Sequence, residues 1–368
     1  MYKIISIDGT DGSGKATIMQ KVKDKLTSMG YCVVTIEPPF YESKTGQLIK
    51  EYLTTGYGDI TNRWVVSQMY SFDRNMWMKE NFHLFLEENT KEIGANEGNP
   101  CFTRDPNLVF LYNRNWLSNL LYQTTIDLQS DSDEKMLDPF FIQIPDSNGS
   151  SMRHCYNLKG LYDLLAQTKD ANMQSNMSIY HRDVAMWAAW LRRAHIAVDM
   201  IHQLYRMEIE PWRASMPDLY VQRRPYDYPV DFIMAADRVI NIVLLPHKED
   251  LDVIYGNMMK RYEGDSTKMD RNEKSHQYMA AVIENIEWLH DNWEFFTEDH
   301  DRNQKAVRFI SSFTEMAKTP ISEVNIIPLR KKEQRAFQFH PIYTTQDGVQ
   351  HSIDEVLADV WKALNPIF

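Results

Sequence analysis

Short apolar runs and amphipathic stretches take turns along the first third of the chain. Ile4-Ile5-Ser6-Ile7 has the pattern of a buried strand. Ile18, Val22, Leu26 and Met29 recur at helical spacing and predict a helix packed by one face on a sheet, closed by Gly30. Tyr31-Cys-Val-Val-Thr-Ile36 is a second apolar strand, so the order is strand, helix, strand, as in a parallel α/β fold. Helical periodicity returns from Gly46 to Tyr52 and from about Arg63 to Leu86. Leu108-Val-Phe-Leu-Tyr112 is another buried strand ending in Asn113-Arg114, and Trp116, Asn119, Leu120 and Gln123 start a further helix.

From about Thr124 to Asp237 the alternation disappears. Residues Gln129 to Gly160 are rich in Ser, Asp, Asn and Pro and predict an irregular excursion. Met186 to Met207 predicts a helix apolar on more than one face, which needs more than one partner. The α/β pattern resumes at Val239-Ile-Asn-Ile-Val-Leu-Leu245, followed by amphipathic helices from about Asp250 to Arg261 and up to about Asn292. Glu323-Val-Asn-Ile-Ile-Pro328 predicts a late strand, Arg330 to Arg335 a solvated face, and His340-Pro-Ile-Tyr an extended segment. Ser352-Ile-Asp-Glu opens a capped final helix over Val356 to Leu364. The expected fold is a three-layer α/β core with a parallel sheet, over 1–123 and 238–368, carrying a mostly helical inserted subdomain over 124–237.

Composition narrows the partners. With a formal charge of -11 over 368 residues, a general nucleic-acid binder is disfavoured, whereas a small phosphorylated ligand needs only a few converging cations. Cys32, Cys101 and Cys155 are odd in number, widely spaced and without a CxxC, so neither a disulfide framework nor a zinc site is expected. They read as buried or free thiols of a reducing cytosol. No signal-peptide pattern and no run of 18 apolar residues is found, giving a cytoplasmic expectation with no membrane partner.

Chemistry concentrates at Gly9-Thr10-Asp11-Gly12-Ser13-Gly14-Lys15-Ala16-Thr17, between the first strand and the first helix. Three glycines let backbone N–H groups approach an anion, Lys15 can reach outer phosphates, and the helix start favours negative charge. The pattern ordinarily ends in Ser or Thr after the Lys, and Ala16 lacks that hydroxyl. The competing reading is a glycine-rich turn without a ligand. Glu37-Pro38-Pro39 lies at the C-terminal end of the second strand, where open α/β sheets place ligands, or it is simply a rigid turn. Tyr70 and Arg74 share a helix face and can present a ring and a bidentate donor to one ligand, or form a core aromatic beside a surface ion pair. Arg114 at the sheet mouth can neutralise a phosphate or be solvent-exposed. The charged connection around Met269 to Lys274, flanked by Arg261 and Lys268, can form a lid or a surface turn.

In this order the motifs resemble the thymidylate kinase family of P-loop nucleoside monophosphate kinases, over about residues 1 to 123 and 238 to 290 and the terminal helix. The resemblance implies that Gly9 to Thr17 bind ATP and that Asp11 sits near the sugar and Mg²⁺, with Glu273 a second metal residue. It implies Tyr70 stacked on thymine, Arg74 on the base edge, Arg114 on the monophosphate, and Ser118 and Asn119 in the base pocket beside Glu37 and Gln123. Tyr122 would crowd a ribose 2′-hydroxyl, and Arg261, Lys268, Asp270, Arg271 and Glu273 would form the lid. Lys15, Asp11, Arg114 and Arg271 are the implied catalytic set, ATP and dTMP the implied substrates, and a homodimer the implied assembly. Ala16, Asn113 in place of the family's Asp before the Arg, and Phe40-Tyr41-Glu42-Ser43 in place of its arginine depart from the pattern. A kinase of another deoxynucleotide or of a nucleoside, and a nucleotide-binding regulatory protein without turnover, are the alternatives.

Overall fold

The computed structural model describes residues 2–55, 63–81, 107–125, 140–145, 151–156, 193–194, 196–209, 238–265, 269, 275–293, 329 and 331–368. The expected strand Glu323–Pro328 and the lid residues Lys268, Asp270, Arg271 and Glu273 lie outside them. The chain divides into two compact units, Met1–Gln129 with Gln203–His290 and Lys332–Phe368, and Ser130–His202 with Asp291–Lys331. Relative to the expected 124–237 insertion, residues 203–237 fall with the first unit and 291–331 with the second.

The first unit is built on a five-stranded parallel sheet. β1 (Lys3–Gly9) lies at its centre, flanked by β3 (Leu108–Asn113) and β6 (Arg238–Leu245), with β2 (Cys32–Ile36) and β7 (Phe339–Tyr343) at the edges. Ile5 stands opposite Leu111 on one side and Ile240 on the other, so the apolar runs meet in register. Period-two alternation sends Ile5, Ile7, Val109, Leu111, Ile242 and Leu244 to one face. There they meet Ile18, Val22 and Leu26 of α1 (Lys15–Ser28) and Val356, Val360 and Trp361 of the C-terminal helix Ile353–Leu364. Each such fully buried aliphatic side chain contributes about 1.5–3 kcal/mol. α1 stops where Gly30 adopts φ +87°, and its N–H and that of Tyr31 donate back to Thr27 and Leu26 carbonyls. Pro341 is tolerated within β7 because that strand pairs on one side only, with β6. The final helix begins in a full capping box of Ser352 and Glu355.

Three expectations need correction. In the second unit, β4 (Phe140–Pro145) and β5 (Ser151–Tyr156) form an antiparallel pair where an irregular excursion was expected. The alternation in Ile142-Gln-Ile144 is the strand signal that the Ser-, Asp-, Asn- and Pro-rich composition of the region masked. The run near Lys331 is solvated only in part: Lys331–Phe337 is a helix in which Lys331 is exposed but Glu333 is fully buried, as are Ala336 and Phe337 just beyond the run. Cys32 is disulfide-bonded rather than a free thiol. Among the described residues no helix is long and apolar enough to cross a membrane.

Candidate functional site

The glycine-rich loop is shaped by its neighbour strand. At Gly9 φ is +141°, and a Cβ there would lie 2.0 Å from the carbonyl oxygen of Leu244 on β6. Only glycine lets β1 turn so close, and the next N–H, that of Thr10, donates to that oxygen at 3.1 Å. Gly14, at φ +84°, precedes α1, and no side chain caps the helix. Its first-turn N–H groups are therefore left to an anion. Lys15 folds back over the loop, its Nζ donating to the carbonyls of Gly9 at 2.7 Å and Thr10 at 3.0 Å and lying 3.2 Å from Asp11 Oδ1. Burial lowers its pKa against the opposing pull of Asp11. Ser13 turns inward onto the Thr10 carbonyl at 2.7 Å.

Arg114 closes the loop from the end of β3. Its backbone is left-handed, with φ +67°, a conformation that costs about 1 kcal/mol or more in a non-glycine residue. The turn is held by its N–H on the Ile7 carbonyl and by Asn115, whose side chain caps the helix starting at Trp116. It aims the guanidinium at Asp11, with Nη2 2.8 Å from Oδ1, and over the Tyr122 ring at 5.3 Å. The Tyr122 hydroxyl donates to the Gly9 carbonyl at 2.6 Å. For Asp11, burial works toward a higher pKa, but Arg114 and Lys15 prevail and hold the carboxyl well below the usual carboxylate range. Asp8, which the sequence reading passed over, is fully buried behind the loop, accepting from its neighbour's N–H and from Ser118.

The other end rests on α3 (Arg63–Asn81), which follows α2 (Lys44–Thr55). Tyr70 is half-buried, and burial raises the pKa of its hydroxyl. Arg74 is 6% exposed, and its Nε and Nη2 bind Glu208 Oε2 and Oε1 at 2.8 and 2.6 Å. Neither a surface pair nor an unengaged donor, it is one half of a buried fork. Ser71 donates to the same carboxylate at 2.5 Å. Asn119 Nδ2 donates to the Ser67 carbonyl at 3.0 Å and lies 3.2 Å from the Ser71 hydroxyl. Asp73, also missed, is buried and accepts from the Phe40 N–H at 2.8 Å, Ser43 at 3.0 Å and Thr45 at 2.5 Å. It fixes the Pro38-Pro39 turn, which has a cis peptide bond, and with it the position of Glu37. Asn113 Nδ2 is 3.5 Å from Glu37 Oε2, the outer limit of a hydrogen bond.

These residues meet in one cleft of about 880 Å³ within the first unit. Thr10, Asp11, Gly12, Gly14, Lys15, Ala16 and Thr17 line one end. Glu37, Tyr70, Arg74, Arg114, Ser118, Asn119, Tyr122 and Gln123 line the rest, together with Arg261 at the end of the helix Leu251–Arg261. Gly9 and Ser13 shape the loop from behind. Tyr278, on the helix His276–Asp291, adds wall that the sequence did not reveal and donates to the Tyr122 carbonyl at 3.2 Å. Gln123 Oε1 and Thr10 Oγ1 are buried without a hydrogen-bond partner, and both residues line the cleft. An entering ligand's donors would satisfy them.

Residues 7–93 match the family model for thymidylate kinase. Over that stretch the chain is similar to the thymidylate kinase family. No curated protein matches the chain. Among solved structures, thymidylate kinase from Candida albicans aligns at 15% identity and a TM-score of 0.40, covering 99% of this chain and 91% of that one. A deoxyadenosine kinase from M. mycoides with bound dATP aligns at 12% identity and a TM-score of 0.31, covering 79% and 86%.

Proposed function

We propose that this chain is a nucleoside monophosphate kinase that transfers the γ-phosphoryl group of ATP to dTMP, giving ADP and dTDP. The observation that carries the reading is the meeting of Lys15 and Arg114 on one Asp11 oxygen. One cation comes from the triphosphate-type loop and the other from the opposite strand, in a cleft that continues to Tyr70 and Arg74. Two anionic substrates need such convergent positive charge more than a covalent catalyst.

In the proposed mechanism, ATP phosphates take the place of the Gly9 and Thr10 carbonyls as partners of Lys15 and receive the free N–H groups of the α1 start. Arg114 releases Asp11 for the acceptor's phosphate. An acceptor phosphate oxygen then forms a bond to the γ-phosphorus as the bond to the bridging oxygen breaks and ADP leaves. The Tyr122 ring holds the Arg114 guanidinium in line. Asp11 and Glu37 are carboxylates on the cleft wall, and Mg²⁺ takes one or two carboxylates together with substrate phosphates, so the residues present fit that ion despite Ala16. When bound, it would neutralise charge on the bridging phosphate oxygens.

The test is ADP release from Mg²⁺-ATP against dTMP, dUMP, dCMP, dGMP, UMP and thymidine. Preference for dTMP is expected. Preference for thymidine would move the assignment to a nucleoside kinase, and ATP binding without turnover of any acceptor would remove the kinase assignment.

A further inference from the structure

We propose that Glu208 is a positioning residue for base recognition, fixing Arg74 as a donor and Asn119 as an acceptor so that the cleft selects an imide edge. The inference rests on the monophosphate kinase reading and names its base class. Glu208 belongs to a π-helical turn, Tyr205–Ile209, remote in sequence from both residues it controls. It does not line the cleft, whereas Arg74 and Asn119 do.

Hydrogen-bond accounting gives the polarity. Glu208 occupies Arg74 Nε and one hydrogen of Nη2 through its two oxygens, which locks the guanidinium plane and leaves Nη1 to donate elsewhere. The same carboxylate receives the Ser71 hydroxyl hydrogen, so Ser71 can act toward Asn119 only as an acceptor. Asn119 Nδ2 must then face Ser71 and the Ser67 carbonyl, which forbids the flipped amide and presents Oδ1 to a ligand. The four side chains are buried, Ser71 at 2%, Asn119 at 2%, Arg74 at 6% and Glu208 at 9% exposure, so the orientations are not averaged by water. A donor beside an acceptor complements a carbonyl beside an N–H, as in thymine and uracil. Cytosine offers an amino group to the donor and a bare nitrogen to the acceptor, both mismatched, and unpaired buried polar groups penalise it.

The experiment measures equilibrium binding of dTMP and dCMP to the full chain, with kcat and KM for each, in wild type and Glu208→Gln. Gln keeps the shape but turns an amide N–H₂ toward the guanidinium or toward Ser71. We expect the wild-type dTMP-over-dCMP preference, about 100-fold or more, to fall at least about 5-fold through KM, with kcat for dTMP changed less than about 3-fold. Should Glu208→Gln not fold, Arg74→Met/Glu208→Leu removes the pair without leaving a lone charge, and the same fall in preference is expected. A smaller fall, or equal weakening of both nucleotides, overturns the positioning role while leaving the kinase reading intact. No monophosphate binding by wild type overturns both.

Discussion

The two ends of the cleft are made in different ways. The phosphate end is nearly contiguous, since Gly9 to Thr17 supply loop, lysine and helix start, and Arg114 and Tyr122 are brought in from further along the chain. The base end is assembled from distance: Arg74 and its partner Glu208 are 134 residues apart in sequence. There Arg74, Glu208, Ser71 and Asn119 are buried and paired with one another, whereas the phosphate end keeps unengaged N–H groups and a lysine held by carbonyls and one carboxylate. The difference separates tasks. An anion of any nucleotide can be met by exposed charge and backbone, but discrimination between bases needs donors and acceptors that cannot turn over.

The comparison can be broken most forcefully at Lys15. Lys15→Ala is expected to lower kcat/KM for ADP release about 10³-fold for every acceptor alike, by analogy with loss of a charge on the transferring phosphoryl group. An effect that differed between bases would blur the division. At the base end, Glu208→Gln is expected to lower stability to urea by about 3–5 kcal/mol, because Arg74 is left buried and underpaired, whereas Arg74→Met/Glu208→Leu stays within about 2 kcal/mol of wild type. The central arginine tests the join: Arg114→Lys, which loses the planar fork, is expected to lower kcat/KM about 30-fold, mainly through KM of the acceptor.

Residues within local motifs were legible at both ends, and their remote partners were not, which follows from the same distances. Lys15, Arg114 and the strands announced themselves through local pattern: Ile4-Ile5-Ser6-Ile7 had to be a buried strand, and a Gly9 that collides with Leu244 if given a Cβ had to be glycine. Even the extended His340-Pro-Ile-Tyr segment was visible, although only the structure shows it as the fifth parallel strand. Glu208 carried no signal, since a carboxylate at the end of an apolar helix is commonplace until Arg74 is seen against it. Asp73 and Asp8 stood beside motif residues, yet their meaning lay in the remote N–H and hydroxyl groups they accept from. The β4–β5 pair was obscured for a different reason, the composition of the region outweighing a short alternation.

Two smaller effects sharpen the contrast. Asp11 has a folded pKa held below its unfolded value of about 4, so its stabilisation is present above that pH and is lost as pH falls below it. Asp11→Asn should therefore flatten the acid limb of urea stability between about pH 4 and pH 2, measurable without any substrate. Ser352→Ala, at a capping box far in sequence from either end, should cost about 1 kcal/mol and leave both kcat and the dTMP-to-dCMP ratio unchanged.

The most direct measurement is product identity from Mg²⁺-ATP and dTMP, with ADP and dTDP separated chromatographically and quantified together in wild type and Lys15→Ala. The account predicts ADP and dTDP in equal amounts from wild type and neither above background from the variant. ADP without dTDP, dTDP formation that survives the loss of Lys15, or ATP binding with no product would contradict it.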